Sequence, residues 1–324
     1  MYTLIVVVAV GGNSLVCAIV LVNKRMRTVT NIFIVALCCS DILMALLCIP
    51  FTFVSNLLVL YWPFGEIMCP VVNFMQVSSV LMSALTLVGI SFDRYAAIIY
   101  PLRPRTTKYQ CGVAIAIIWA LATGVSLPTA VTSKVMYNGS HGLCLEDWGD
   151  ETQLYSYSLA IIILQYFLPL AVLIFTYGKI GYVIWIKRPP GEAEKKRDQR
   201  LAESKRKMVK MMIVVVVTYA VCWLPFHTLT MAGNRDPSIY NPPYMRIVWV
   251  CAHWLAMSNC CLNPIIYFWM NSKFRSSLRY LVRCLPCIQS DIKSSEYVVE
   301  RRSGTYTTSL KSTFNNGCMQ QRHV

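Results

Sequence analysis

The sequence predicts an all-α membrane protein, a bundle of seven membrane-crossing helices followed by a short amphipathic helix. Three observations predict it. Of the 324 residues, 56% are hydrophobic and 14% charged, with a mean hydropathy of +0.51, whereas ordinary soluble domains carry about 25% charged residues. Seven separate apolar runs are long enough to cross a roughly 30 Å hydrocarbon core as helices of about 20 residues. Strongly polar groups stand inside them, with Asp93-Arg94-Tyr95 ending one run and Asn263-Pro264-Ile265-Ile266-Tyr267 lying within another. Polar residues at membrane depth are rare and usually face a bundle interior with a functional role.

The runs cover residues 2–22, 32–58, 68–93, 113–131, 155–185, 208–231 and 246–269. Each must be helical, because a segment in lipid has to satisfy its own backbone hydrogen bonds. Their order fixes a topology. Lys24, Arg25 and Arg27 follow the first run, and Arg94, Arg103, Arg105 and Lys108 follow the third. Ten more basic residues lie between Lys187 and Lys210, whereas the alternate loops hold only Lys134, Arg235 and Arg246. By the positive-inside rule those basic loops and the C-terminus face the cytoplasm, and the N-terminus lies outside, as seven crossings require. The net charge of +15 is therefore a topological signal, with contact to anionic lipid and a cytoplasmic partner as the further reading. It does not point to nucleic acid.

Between and beyond the runs, several features are informative. Most of the 14 cysteines lie in apolar runs, where a free thiol behaves as a small hydrophobe. Cys69 and Cys144 stand on the outer, oxidising side, and a disulfide between them would tether the long loop to the third helix. Asn138-Gly139-Ser140 is an N-glycosylation acceptor. The loop from Pro189 onward opens with helix breakers, then turns helical and basic through Lys210, so the sixth helix is expected to project into the cytoplasm. Residues 271–283 alternate basic and apolar positions and read as a helix lying on the inner membrane face. Cys284 and Cys287 follow it; their spacing is redox-like, but cytoplasmic cysteines at such a site more often take palmitate. Residues 1–287 thus form one membrane domain. The tail, residues 288–324, is rich in Ser and Thr and is expected to be disordered and open to phosphorylation.

On these residues the chain resembles the rhodopsin-like (class A) G-protein-coupled receptors from Gly12 to Cys287. The landmarks come in order, one group to each run: Gly12-Asn13, Asp41, Asp93-Arg94-Tyr95, Trp119, Pro169 with Tyr177, Cys222-Trp223-Leu224-Pro225, and Asn263-Pro264 to Tyr267. The resemblance implies a plasma-membrane receptor passing ligand binding to a heterotrimeric G protein, with arrestin and receptor kinases meeting the tail. It implies that Arg94 pairs with Asp93 at rest and moves with Tyr177 and Tyr267 on activation. Pro169, Pro225 and Pro264 would serve as pivots, since an internal proline kinks a helix, and Trp223 and Tyr95 belong to the same implied activation set. Asp41, Asn13, Ser83, Asn259 and Asn263 would hold water and a sodium ion; a purely structural polar network is the alternative. No other cofactor is implied. Two departures stand out. Ser204-Lys205-Arg206-Lys207 lacks the acid that restrains this arginine in some relatives, and Ala84 and Tyr219 replace a larger aliphatic residue and a phenylalanine.

Absences narrow the ligand. The third run holds no acid above Asp93 and has Gln76 instead, which disfavours a monoamine; the seventh holds no lysine for a retinal Schiff base. Gln76, Gln165, His227, His253 and Trp254 remain as candidate linings, suited to amides and aromatic groups, although lone histidines on apolar helices are often only packed. Glu146, Asp147, Asp150 and Glu151 surround Trp148 and read as a negative rim for a cationic peptide, or as a merely solvated loop. Lys24 to Asn31 and Trp254 to Ser258 resemble tachykinin and leucokinin receptors; Gln76 and Tyr177 to Gly181 are more similar to receptors for RFamide-type peptides. The resulting expectation is a receptor for an amidated neuropeptide. The alternatives are a receptor-like scaffold that does not couple and, more remotely, a transporter, for which no internal repeat is seen. No catalytic motif points to an enzyme.

Overall fold

The computed structural model describes residues 2–139, 141–185 and 195–282. Cys284, Cys287 and the tail from residue 288 lie outside the described residues, as do Ser140 of the glycosylation acceptor and Pro189 to Glu192. Among the described residues, seven helices are long and apolar enough to cross a membrane. They are α1 (Tyr2–Val22), α2 (Val29–Val59), α3 (Gly65–Ile99), α4 (Lys108–Thr132), α5 (Glu151–Trp185), α6 (Lys195–Arg235) and α7 (Pro243–Met270). A final helix, α8, spans Ser272–Val282. A hairpin of β1 (Ser133–Asn138) and β2 (His141–Glu146) joins α4 to α5. This hairpin marks one end of the bundle; Asp93-Arg94-Tyr95 marks the other.

Local chemistry explains the helix ends. Thr28 caps α2 by accepting from the Asn31 amide, and Thr107 forms a reciprocal capping box with Gln110 at the start of α4. Such caps satisfy N–H groups that have no helical partner. The helices overrun the apolar windows, because the backbone pairing of a helix does not stop where hydropathy falls. Thus α3 does not end at Asp93 but runs on to Ile99, and α6 begins at Lys195, well before its apolar stretch.

On α1 the buried positions Tyr2, Ile5, Ala9, Asn13, Val16 and Ile19 recur every three or four residues and form one stripe. Gly12 lets that stripe come very close to α7, since a Cβ there would lie 2.9 Å from the Pro264 ring. Carbonyls freed by an internal proline explain two further contacts. Pro264 has no N–H, so the Cys260 carbonyl four residues before it loses its helical donor; Asn13 Nδ2 donates to that oxygen at 2.9 Å. Pro169 likewise frees the Gln165 carbonyl, inside a π-helical turn at Ile163–Phe167, and the Tyr219 hydroxyl donates to it at 2.6 Å. Neighbouring helices thus supply the donors that an internal proline removes.

The hairpin is held over the bundle by the Cys69–Cys144 disulfide. Beneath it, Trp62, Cys69 and Val72 pack with Phe51, Phe64 and Val135. The Trp62 amide donates to the Gly142 carbonyl at 2.7 Å. Asn138 ends β1 at the hairpin tip.

Candidate functional site

Three groups of polar residues lie along the bundle, one at each end and one between. At the hairpin end a cavity has two lobes that share Gln76 of α3. The first, about 440 Å³, lies between α2, α3, α7 and the hairpin, and includes Asn56, Trp62, Asn73, Arg246 and Trp249. The second, about 170 Å³, lies between α3, α4, α5, α6 and β2, and includes Glu146, Tyr157, Gln165, Trp223 and His227.

The two carboxylates expected to act together occupy different environments. Glu146 turns into the second lobe and accepts from Trp148 Nε1 at 2.8 Å. Burial pushes its carboxyl above the ordinary range, against the lowering effect of that bond. Among the described residues no Lys or Arg lines this lobe. Asp147 instead faces solvent and pairs with Lys134 at 3.1 Å, and the ammonium holds it below its usual range. Asp150 accepts from the Thr152 amide as the cap of α5, and Glu151 opens that helix. The four acids of the expected rim are therefore set apart from one another. Hydrogen bonding and capping commit its acids singly, and Glu146 alone among the four lines the lobe.

Gln165 projects its amide to the Val77 carbonyl of α3 at 2.8 Å. His227 is buried with its ring stacked on Trp223 at 5.6 Å, and its Nε2 has no partner. His253 departs from expectation and lines neither lobe. Tyr2 of α1 takes it by a 3.0 Å contact to Nδ1, and Trp249 covers its face at 4.9 Å. Trp249 and Arg246, one and two turns earlier on α7, face the first lobe instead. Sequence reading treated Arg246 only as a loop charge. The signal was its place at the start of a helix whose next turns carry Trp249 and His253. Asn73 was also missed; it bonds Ser133 at 3.0 Å and so braces α3 against the hairpin.

In the middle, Asp41 is 2% exposed and accepts from Asn263 Nδ2 at 2.8 Å and from the Ser83 hydroxyl at 3.4 Å. Ser83 also meets Ser40 at 2.8 Å. Asn13 does not join this set through its amide, which the Cys260 carbonyl has taken; its Oδ1 is buried without a partner, as is Asn259 Nδ2.

At the far end, Arg94 folds back onto Asp93, with Nε at 3.0 Å from Oδ2. Thr30 of α2 donates to the same oxygen at 2.7 Å. No acid of α6 reaches the guanidinium among the described residues; Met208 Sδ lies 3.4 Å from Nη1 instead. Tyr95 packs edge-on against Tyr100. Tyr177 and Tyr267 are buried, and the Tyr267 hydroxyl has no partner. A cavity of about 500 Å³ opens here, bounded by Arg94, Glu203, Met208, Met212 and Asn271.

Comparison with known proteins places this geometry in context. Residues 12–267 match the model of the seven-transmembrane receptors of the rhodopsin family. The chain is 47% identical over 293 residues to the RYamide receptor of Drosophila melanogaster, covering 88% of this chain and 63% of that protein. It is 45% identical over 303 residues to the RYamide receptor of Tribolium castaneum, covering 89% and 81%. With the tachykinin-like peptides receptor 99D of Drosophila melanogaster the identity is 41% over 292 residues, covering 86% and 56%. The chain thus spans less than two thirds of the first and third of these relatives.

Proposed function

Because the chain belongs to the rhodopsin family of seven-transmembrane receptors, we propose that it is a neuropeptide receptor, activated by an amidated peptide of the RYamide type and signalling through a heterotrimeric G protein. The observation that carries this reading is the likeness to two RYamide receptors over nearly nine tenths of the chain.

The geometry supports it in steps. A peptide ending in arginine and an aromatic amide brings one cation, one ring and one amide to the cavity. Glu146 offers a carboxylate in a lobe without a competing cation, where a desolvated pair with guanidinium is strong and directional. Gln76 and Gln165 offer amide partners, while Trp223 and His227 offer faces for the ring. Asp147 acts earlier, as an exposed charge that steers approach. Occupancy bears on α6 at Trp223, two residues from Pro225 on the side toward Met208, and that segment of α6 reaches Arg94 at Met208. Release of Arg94 from Asp93 would open the far cavity to the G protein. In this reading the hairpin end faces outward and the Arg94 end faces the cytoplasm, in keeping with the basic loops.

The buried Asp41 carboxylate has no cation beside it among the described ion pairs, and an uncompensated buried charge is costly. Its neighbours Ser83 and Ser40 offer further oxygen, so the set suits a hard cation such as sodium. A bound ion would supply charge compensation that favours the resting arrangement. Asn138 as a glycan acceptor, palmitate at Cys284 and Cys287, and arrestin and kinase contacts at the tail belong to the same proposal.

The test is intracellular calcium and cyclic AMP in cells displaying the chain, challenged with RYamide, RFamide, tachykinin and kinin peptides. Nanomolar activation by RYamide, abolished by Arg94→Ala at equal surface level, is expected. Silence to every peptide with surface display confirmed would overturn the reading.

A further inference from the structure

We infer that Tyr219 and Gln165 form a latch that passes occupancy of the second lobe to the part of α6 that must move; the inference deepens the receptor reading above and rests on it. Pro169 leaves the Gln165 carbonyl without a helical donor, in the middle of the π-helical turn of α5. The Tyr219 hydroxyl supplies the donor at 2.6 Å, from a side chain 1% exposed. The Gln165 side chain meanwhile holds α3 through the Val77 carbonyl at 2.8 Å, next to Gln76. One residue in the wall of the lobe is therefore bonded to α3 by its amide and to α6 by its backbone.

The placement of Tyr219 decides what that bond does. It lies between Pro225 and Met208, on the α6 segment that touches Arg94. Movement of this segment away from Arg94 carries the hydroxyl off the carbonyl and strands a buried acceptor, which is unfavourable. The bond therefore favours the closed arrangement. A ligand group that displaces Gln165 weakens it and releases α6. A second hydroxyl, that of Tyr166, donates from α5 to the Ala220 carbonyl at 3.0 Å. That carbonyl lies within an unbroken stretch of helix and keeps its own donor, the Leu224 amide. Of these two hydroxyls, that of Tyr219 is the one that relieves an otherwise unpaired group.

Tyr219→Phe removes the hydroxyl and keeps the ring. Hydrogen–deuterium exchange of residues 206–218 in the purified, ligand-free protein should rise, and agonist-independent signalling per surface receptor should rise about two- to tenfold, the span of one net hydrogen bond. Tyr166→Phe should move both less. Pro169→Ala returns an N–H to the Gln165 carbonyl, so adding Tyr219→Phe to it should change exchange no further, a non-additivity that general loosening would not give. Unchanged exchange in residues 206–218, or simple additivity with Pro169→Ala, overturns the latch. Wild-type signalling per surface receptor in a Tyr219→Phe protein that does answer peptide overturns its link to activation. Peptide silence of the wild-type chain, with exchange behaving as stated, overturns the receptor reading and leaves the latch.

Discussion

Glu146 and Asp147 are neighbours in sequence and opposites in environment: Glu146 ends β2, Asp147 follows it with its amide bonded to the Thr132 carbonyl, and successive residues of extended backbone face opposite sides. Glu146 faces the cavity and Asp147 faces Lys134. Truncating one partner of a desolvated charge pair costs about 2–5 kcal/mol, or roughly 30-fold and upward in affinity. Glu146→Gln should therefore weaken an arginine-bearing amidated peptide by at least about 30-fold in a radioligand competition assay. Asp147→Asn removes an exposed pair that solvent screens and should chiefly slow association. Equal losses in both variants would contradict the assignment. The pH dependence has a definite sign. A cationic group favours the ionised Glu146, whose pKa is raised by burial. Affinity should be full above that raised pKa and fall as pH is lowered through it. His227 lines the same lobe and Tyr157 closes against it, so a flat profile in Glu146→Gln is the result that assigns the slope to this carboxyl. Sequence reading found the acids but treated them as one patch, since strand pairing, not composition, decides which way each points.

Prolines organise the elements, and their cost is met by neighbours. The runs and their order were legible because lipid imposes one solution on any long apolar segment. What stayed illegible was which side chain would meet a freed carbonyl. Asn13 was expected beside Asp41, yet its amide serves Cys260, and His253 was expected in the cavity, yet Tyr2 of α1 withdraws it. Both depend on how closely α1 approaches α7, and that closeness rests on Gly12. At Gly12 a Cβ would press on the rigid Pro264 ring at 2.9 Å, whereas at Gly11 it meets nothing within 4 Å. Gly12→Ala should thus destabilise by about 1–3 kcal/mol through overpacking. Gly11→Ala should be neutral or mildly stabilising, alanine being the better helix former by about 1 kcal/mol. Thermal unfolding of both variants in the same detergent checks the contrast; matched melting temperatures would mean that α1 has room to move away.

Across the whole molecule, the three polar groups are linked by the helices that carry them. Gln76, Ser83 and Arg94 share α3, Asp41 and Thr30 share α2, and Trp249 and Asn263 share α7. A ligand at the hairpin end and an ion at Asp41 therefore act on one set of rigid elements and must bias each other if they prefer different arrangements. Coupling between sites is reciprocal and typically amounts to about 1–3 kcal/mol, or roughly 5–150-fold in affinity. A sodium ion of the kind proposed at Asp41 would favour the resting arrangement, in which Arg94 is folded onto Asp93. Replacing choline by sodium at constant ionic strength should then weaken peptide binding at least about fivefold in membranes bearing the wild-type chain. Asp41→Asn keeps the size and the bond to Asn263 but removes the charge, so its peptide affinity should ignore the exchange of cations. Constant ionic strength matters, because screening alone would weaken a cationic peptide's approach to Glu146 and Asp147. Wild-type affinity indifferent to sodium would remove the ion from the account and leave Asp41, Ser83 and Asn263 as a structural network. Sodium sensitivity surviving in Asp41→Asn would place the ion elsewhere and detach the centre of the bundle from its signalling role.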